Sequence, residues 1–587
     1  LINGINTLLG NYGSTVNIDM HSNLRQGSDE KMAALVAEMA SGAVDVLFMY
    51  NVNPAYTYPD AAAFKAALKK VGTSVSFAGT EDESASEANY ICPDHHYLES
   101  WNDAEPVKGM FSLGQPVIRP LFKTRQMQDS LIQWAGLPYQ DYLTFIQGNW
   151  NKSMYGMQTA ISSYDAFWTK SLQEGVFETA PAAGTTVFAG DVAAAASSIV
   201  KSKTDGLELV IYEKTGIGNG NQANNPWLQE LPDPVSKVCW DNYFAMSPAF
   251  AKAQGFSQGN VIEVKAGNKT VKGPVYLQPG VADQTIAIAI GYGRTKAGKA
   301  ADNIGVNAYE LASMVNGTIH YYNTGITINK TVDEDHVLAA TQTHHTMMGR
   351  AIVKETNLDK WLKDPKSGNP DVMLETYKGK KKATEMDLWA TEKNPGHDKP
   401  NHFWGMSIDL NSCIGCGSCV VACQVENNVP VVGKDEINRS REMHWIRIDR
   451  YYTSDTTKES AEKDGMGKID MLAKMEDPSE NPEVVFQPML CQHCNHAPCE
   501  TVCPVAATTH SSEGLNMMAY NRCVGTRYCA NNCPYKVRRY NWFKYSDNTQ
   551  FDFNMNDDLG KMVLNPDVVV RSRKKKKKCS MCVQRIQ

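Results

Sequence analysis

The chain has 587 residues, 42% of them hydrophobic and 21% charged, with a net charge of −6. That length exceeds a single hydrophobic core and predicts roughly three or four domains. The mild acidity argues against nucleic acid as a partner. No apolar run is long enough to span a bilayer, and the longest candidates, such as TIAIAIGYG, are strand-sized.

Residues 31–93 alternate between helical and extended patterns. KMAALVAEMASG predicts an amphipathic helix, VDVLFMY a short apolar strand, DAAAFKAALKKVG a second helix ended by Gly72, and TSVSFAG a second strand. TEDESASEA predicts a polar helix, and NYICP closes the series. Alternation at this spacing implies a parallel sheet covered on both faces. With the further strand LELVIYE at 207–213, residues 1–235 are expected to form one α/β domain. Residues 236–350 carry short β-rich runs separated by Gly, Asn and Pro, the pattern of a small β-barrel. Residues 351–400, with KGKKK and EKNPGHDKPN, read as a linker or strap. The expected fold class is therefore multidomain α/β plus a small β-barrel, followed by an α+β ferredoxin-like polycluster domain over 401–587. Neither Leu1 nor the closing KCSMCVQRIQ has the look of a natural terminus, and the chain is expected to be a segment of a longer polypeptide, with the last domain cut at its C-terminal end.

Of 15 cysteines, 13 lie between Cys413 and Cys582, and only Cys92 and Cys239 lie earlier. Crowding in C-x-x-C units is a metal pattern rather than a disulfide framework. The first motif, CIGCGSCVVAC, sets Cys413, Cys416, Cys419 and Cys423 at the bacterial ferredoxin spacing. The second, CQHCNHAPCETVCP, sets Cys491, Cys494, Cys499 and Cys503 before Pro504. His493 and His496 inside this loop read as surface or supporting groups, because four thiolates already satisfy a site. In the third, NRCVGTRYCANNCP, Cys523, Cys529 and Cys533 fall on the ferredoxin grid, but Thr526 stands where the second cysteine belongs. The fourth is CSMC, Cys579 and Cys582. Zinc is the competing reading, since two C-x-x-C pairs suffice for it. The third in-phase cysteine and the repetition of the pattern favour clusters.

In two-cluster ferredoxins, three cysteines of one motif join the last cysteine of its partner. Nested pairing then gives one [4Fe–4S] site from Cys491, Cys494, Cys499 and Cys533, and a Thr526 site from Cys503, Cys523 and Cys529. Cys413, Cys416 and Cys419 need a ligand beyond the chain, as do Cys423, Cys579 and Cys582. No C-x-x-C is followed by His, so no c-type haem is expected. His95, His96, His344 and His345 form two HH pairs for which a surface or interdomain role is expected. Asp94 and Glu99 read as polar loop residues, and Cys92 and Cys239 as buried thiols. Lys574–Lys578 reads as a solvated basic loop.

The order of motifs, the CQHC…PCETVCP loop and CPYKVRRYNWF resemble the four-cluster iron–sulfur subunits that accompany molybdopterin oxidoreductases. Thr526 resembles the members with a substituted third motif, which implies a [3Fe–4S] centre there and three [4Fe–4S] clusters elsewhere. NVNPAYTYPD, ANYICPDHHYLESWNDAEP and the β-rich 274–294 region resemble later domains of the molybdopterin oxidoreductase fold. Both halves on one chain, with TQTHHTMMGR between them, resemble the fused iron–sulfur protein of alternative complex III, a quinol-oxidising respiratory assembly. That resemblance implies an electron relay with no molybdenum cofactor and no catalytic residue on this chain. It implies an integral-membrane quinol-binding partner, c-type cytochrome subunits, and the periplasmic face of the bacterial cytoplasmic membrane. It also implies that the [3Fe–4S] centre is the first acceptor from quinol. Two other readings stay open: a molybdopterin-dependent reductase with a fused relay, and a zinc-stapled scaffold.

Overall fold

The computed structural model describes residues 1–180, 188–201, 206–350, 352–386, 402–545, 558–571 and 574–586. The chain divides into two compact units. The first comprises residues 1–207 with 295–297 and 309–326. The second comprises residues 208–294, 298–308 and 327–587.

The first unit opens its α/β layer with the helix Asp29–Ser41, capped by the Ser28 hydroxyl and stopped by Gly42 at φ 76°. The strands Val46–Met49, Thr73–Ser76 and Tyr90–Ile91 pair in that order and in parallel. Helix Ala61–Leu68, capped by Asp60, supplies Phe64, Ala67 and Leu68 to a core shared with Val36, Met39 and Met49. The polar segment 80–88 departs from expectation. It holds only the short turn Ala85–Glu87, because Asp82 and Asn53 accept from the backbone of Ser84 and so compete with helical pairing. A second, antiparallel sheet of Asn102–Val107, Met110–Gly114 and Val176–Glu178 packs on an aromatic core of Trp150, Phe167 and Trp168.

The second unit contains a closed barrel. Its strands run in the order Asn260–Ala266, Lys269–Leu277, Phe244–Met246, Thr285–Ile290, Leu207–Glu213 and Tyr322–Asp335. The strand at 207–213 thus departs from its expected place in the α/β domain and pairs in parallel with Thr285–Ile290. Its alternating Leu209 and Ile211 are buried, as the inward positions of a barrel strand require. Within 351–400, the described residues include the helix Leu358–Lys363 and the hairpin of Met373–Thr376 with Gly379–Lys382. EKNPGHDKPN lies outside the described residues.

The cysteine-rich segment is built from short antiparallel pairs: Arg447–Tyr452 with Val484–Met489, Thr508–His510 with Asn516–Met518, and Arg539–Tyr540 with Lys576–Lys577. It shares a core with the segment beside the barrel. Trp227, Cys239, Trp240 and Ala339 pack with Cys423, Val429, Val432, Ile437 and Trp445. Each buried large side chain of this kind contributes about 1.5–3 kcal/mol.

Glu230 fastens the same joint. Its side chain is fully buried and accepts from Val432 N at 3.0 Å, Gly433 N at 2.8 Å and Trp240 Nε1 at 3.3 Å. Burial pushes the carboxyl up from its ordinary 4.5 to about 8, against the opposing pull of those N–H groups. Because the folded value exceeds the unfolded one, this contribution is full below pH 4.5 and is lost as pH rises through about 8. Glu230→Ala leaves two backbone donors unpaired and is expected to lower stability by about 2–4 kcal/mol, read by tryptophan fluorescence in denaturant. Wild type should lose stability between pH 4.5 and 8 relative to Glu230→Gln, and a pH-independent gap between the two would contradict the assignment.

Candidate iron–sulfur sites

The first motif forms a tight loop leading into the helix Ser418–Glu426. Gly415 and Gly417 take φ of +71° and +78°. A Cβ on them would stand 2.6 Å from the Phe486 ring and 2.8 Å from Leu231 Cδ1, so the loop admits only glycine at both places. Cys413, Cys416 and Cys419 form one electrostatically coupled group on the open side of this loop, with Cys419 exposed. Ser418 Oγ lies 3.4 Å from Cys416 Sγ, and hydrogen bonds from Ser418 lower the Cys416 thiol below its usual range. Cys423, four residues beyond Cys419, is buried and faces Cys579 and Cys582 instead. Asn427 Nδ2 lies 3.7 Å from Cys423 Sγ and 3.5 Å from Cys582 Sγ, which ties the first motif to the fourth. Burial, then the neighbouring thiols, push Cys423 far above the usual thiol range.

The second and third motifs meet through their short helices Pro498–Thr501 and Tyr528–Asn531. Cys491, Cys494, Cys499 and Cys533 line one cavity together with Pro498, Tyr535, Val537 and Arg538. Four soft thiols converging on one space, from two loops about forty residues apart on the ferredoxin grid, are the donor set of an iron–sulfur cluster. Burial raises Cys499 to about 11, while the Arg538 guanidinium draws it down. Cys503 points elsewhere. Its Sγ accepts from Ala507 N at 3.2 Å, and burial is outweighed by the N–H groups of Val505, Thr508 and Ala507, which hold the thiol below its usual range. Cys523 and Cys529 both face the Lys576 ammonium, and Cys503 and Cys529 both face Arg538. Thr526 lies exposed between Gly525, at φ +78°, and Arg527, at φ +67°. Cys579 also packs in a buried cluster with Cys491 and Cys533.

Among the described residues, no three His, Cys, Asp or Glu side chains close to single-ion distance. The other candidate residues have local roles. His345 Nε2 contacts Glu476 O at 2.9 Å, His344 is held low by burial, and His96 N donates to Glu99. Asp94 accepts from Met127 N at 2.8 Å, and His496 is exposed. His493 is buried, and burial followed by the Lys578 charge lowers it to about 3. Cys239 is fully buried, but Cys92 is only half-buried, contrary to its reading as a core thiol.

The lysine run also differs from expectation. Lys574 is exposed and Lys575 half-buried, but Lys576, Lys577 and Lys578 are 2%, 1% and 5% exposed, so only the start of the run is solvated. Lys576 sits 5.1 Å over the Tyr540 ring, and Lys578 Nζ donates to Asn516 O and, at 3.3 Å, to Cys579 O. Burial lowers Lys576 to about 8 and Lys577 to about 7. Arg538, Asn427, Asn516, Lys576 and Lys578 lie beside the thiols. No motif marks them, although a basic residue inside the apolar VRRYNWF run is an available signal.

Residues 412–507 and 482–551 each match the family model described as 4Fe-4S dicluster domain, and residues 2–129 match molybdopterin oxidoreductase. The chain therefore carries one segment similar to molybdopterin oxidoreductase and two overlapping segments similar to 4Fe-4S dicluster domains. It is 36% identical over 183 residues to the iron-sulfur cluster-binding subunit of menaquinone reductase from Nitratidesulfovibrio vulgaris, covering 31% of this chain and 59% of that protein. It is 27% identical to the first iron-sulfur subunit of the Hdr-like menaquinol oxidoreductase from Archaeoglobus fulgidus, covering 33% and 63%. It is 32% identical to the iron-sulfur subunit of arsenate respiratory reductase from a Shewanella species, covering 23% and 44%. The chain thus spans less than two thirds of each of these relatives.

Cys239 provides a check on which thiols serve as ligands. It lies at the core joint, in register with Ala339 and in the same buried core as Cys423, but outside the four cysteine motifs. Cys239→Ser is expected to keep the full iron and acid-labile sulfide content while losing about 1–2 kcal/mol through a poorly paired buried hydroxyl. Loss of iron would make Cys239 a ligand.

Proposed function

We propose that the chain is an electron-transfer subunit of a membrane respiratory complex, carrying electrons from a quinol oxidised in a membrane partner toward a cytochrome c or terminal oxidase. The observation that carries this reading is the convergence of Cys491, Cys494, Cys499 and Cys533 on one cavity, with two further thiol groups alongside. The relatives named for menaquinone and menaquinol reactions supply the quinone side of the reading. Iron–sulfur clusters, when bound, supply one-electron carriage. This chain's residues would hold them, exclude water and set their potentials.

The assignment has four centres. Cys491, Cys494, Cys499 and Cys533 hold a [4Fe–4S] cluster. Cys503, Cys523 and Cys529 hold a [3Fe–4S] centre at the Thr526 position. Cys413, Cys416 and Cys419 serve a third centre, and Cys423, Cys579 and Cys582 a fourth, each completed by a ligand outside these residues. No helix among the described residues is long and apolar enough to cross a membrane. We assign the chain a peripheral position on the periplasmic face, held by an integral-membrane subunit and facing c-type cytochromes, as in alternative complex III.

Redox-poised electron paramagnetic resonance on the intact complex tests the assignment. Thr526→Cys should abolish an oxidised-state [3Fe–4S] signal and add a reduced-state [4Fe–4S] signal. No three-iron signal in fully assembled wild type would refute it. The match of residues 2–129 favours a second reading, a molybdopterin-dependent reductase with a fused relay. Stoichiometric molybdenum or tungsten in the purified complex would select that reading.

A further inference from the structure

The Arg538 guanidinium reaches Cys499 of the second motif, which packs in one buried cluster with Cys529 of the third. Its residue is 5% exposed. Nη1 donates to Cys499 Sγ and to Asn516 Oδ1, each at 3.4 Å. Nη2 donates to Thr508 Oγ1 at 2.9 Å and lies 3.2 Å from Met518 Sδ. Burial works against its charge, and Cys529, then Cys499 and Cys491, hold it; Cys529 packs in one buried cluster with Cys499. A buried guanidinium is unfavourable without anionic partners, and here thiols take the place a carboxylate usually fills.

Its neighbours are more selective. Lys576 faces Cys529 and Cys523, on the Thr526 side only. Lys578 faces Cys491 and Cys499 on the other side, together with Cys579. Arg538 spans both groups. Thr508 and Asn516, from facing strands of one hairpin, fix its fork.

We propose that Arg538 is a shared positioning residue that sets the reduction potentials of two neighbouring centres together, through a hydrogen bond from its buried guanidinium to Cys499 and through its charge beside Cys529, which shares a buried cluster with Cys499. This rests on the ligand assignment proposed above. When an electron passes between the two centres, one is oxidised as the other is reduced, and no proton need move. The fixed cation offsets negative charge on whichever centre holds the electron, because a guanidinium does not deprotonate in proteins. Hydrogen bonds to ligand sulfur raise a cluster's potential. Sharing one cation keeps the two potentials from drifting apart, which favours transfer in both directions.

The test is a redox titration of the intact complex, followed by electron paramagnetic resonance, for wild type, Arg538→Met and Lys576→Met. Arg538→Met should shift both the three-iron and the adjacent four-iron signal to lower potential. The expected change is at least a tenfold fall in the reduced-to-oxidised ratio at the wild-type midpoint, or about 59 mV for a one-electron step. Lys576→Met should shift the three-iron signal alone. Arg538→Lys keeps the charge but cannot fork, and should separate the two midpoints. If Arg538→Met fails to assemble, the Arg538→Lys titration decides. Both midpoints unchanged, or only one moved by Arg538→Met, would overturn the proposal. Absence of iron–sulfur signals in wild type would instead remove the relay reading itself.

Discussion

Thiols destined to be thiolates repel one another, and the cysteine-rich segment is organised around that repulsion. Cys491, Cys494, Cys499 and Cys533 share one cavity, and burial alone drives their kind toward the neutral form. Positive groups therefore have to be brought inside. Arg538, Lys576 and Lys578 do this from strands and turns beside the thiols, and backbone N–H groups at Val505, Ala507 and Met581 add smaller dipoles. Iron bound at these thiols would supply further compensation, and its loading would then be coupled to final packing in this segment.

The same logic separates the thiols by setting. Cys416 and Cys503 are held low by hydrogen bonds, whereas Cys423 and Cys499 are pushed up by burial. Within one motif the spacing thus mixes open and enclosed positions. Cys413 and Cys416 of CIGCGSCVVAC lie on a glycine loop, Cys419 is exposed at the start of the helix that follows, and Cys423 is buried one turn further along that helix. A motif of this form cannot present all four thiols to one object, and its last cysteine is available to a neighbour.

Much of this is legible in the sequence. Period-2 runs such as TIAIAI and helix patterns such as DAAAFKAAL locate their elements because the signal is local. The cysteine grid is legible because ligand spacing is a property of a single loop. The strand LELVIYE is legible as a strand, but not as a barrel member, because its partner Thr285–Ile290 lies over seventy residues away. Arg538 and Lys576–Lys578 are least legible. A basic residue reads as solvated until the fold places anions around it, and those anions come from cysteines up to about ninety positions distant. Thr526 stands between these cases: its anomaly is visible locally, and its meaning depends on Cys503 from another loop.

The joint between the barrel side and the cysteine-rich segment has a further consequence. Trp227, Trp240, Trp445 and Glu230 form an interior continuous across residues far apart in the chain. In a two-protein version of this architecture, the same atoms would make an obligate interface between separate chains, apolar at its centre and closed by a buried carboxylate. Here that interface is intramolecular, so its two sides fold at a fixed high effective concentration and cannot exchange partners. The stoichiometry of the two sides is written into the polypeptide.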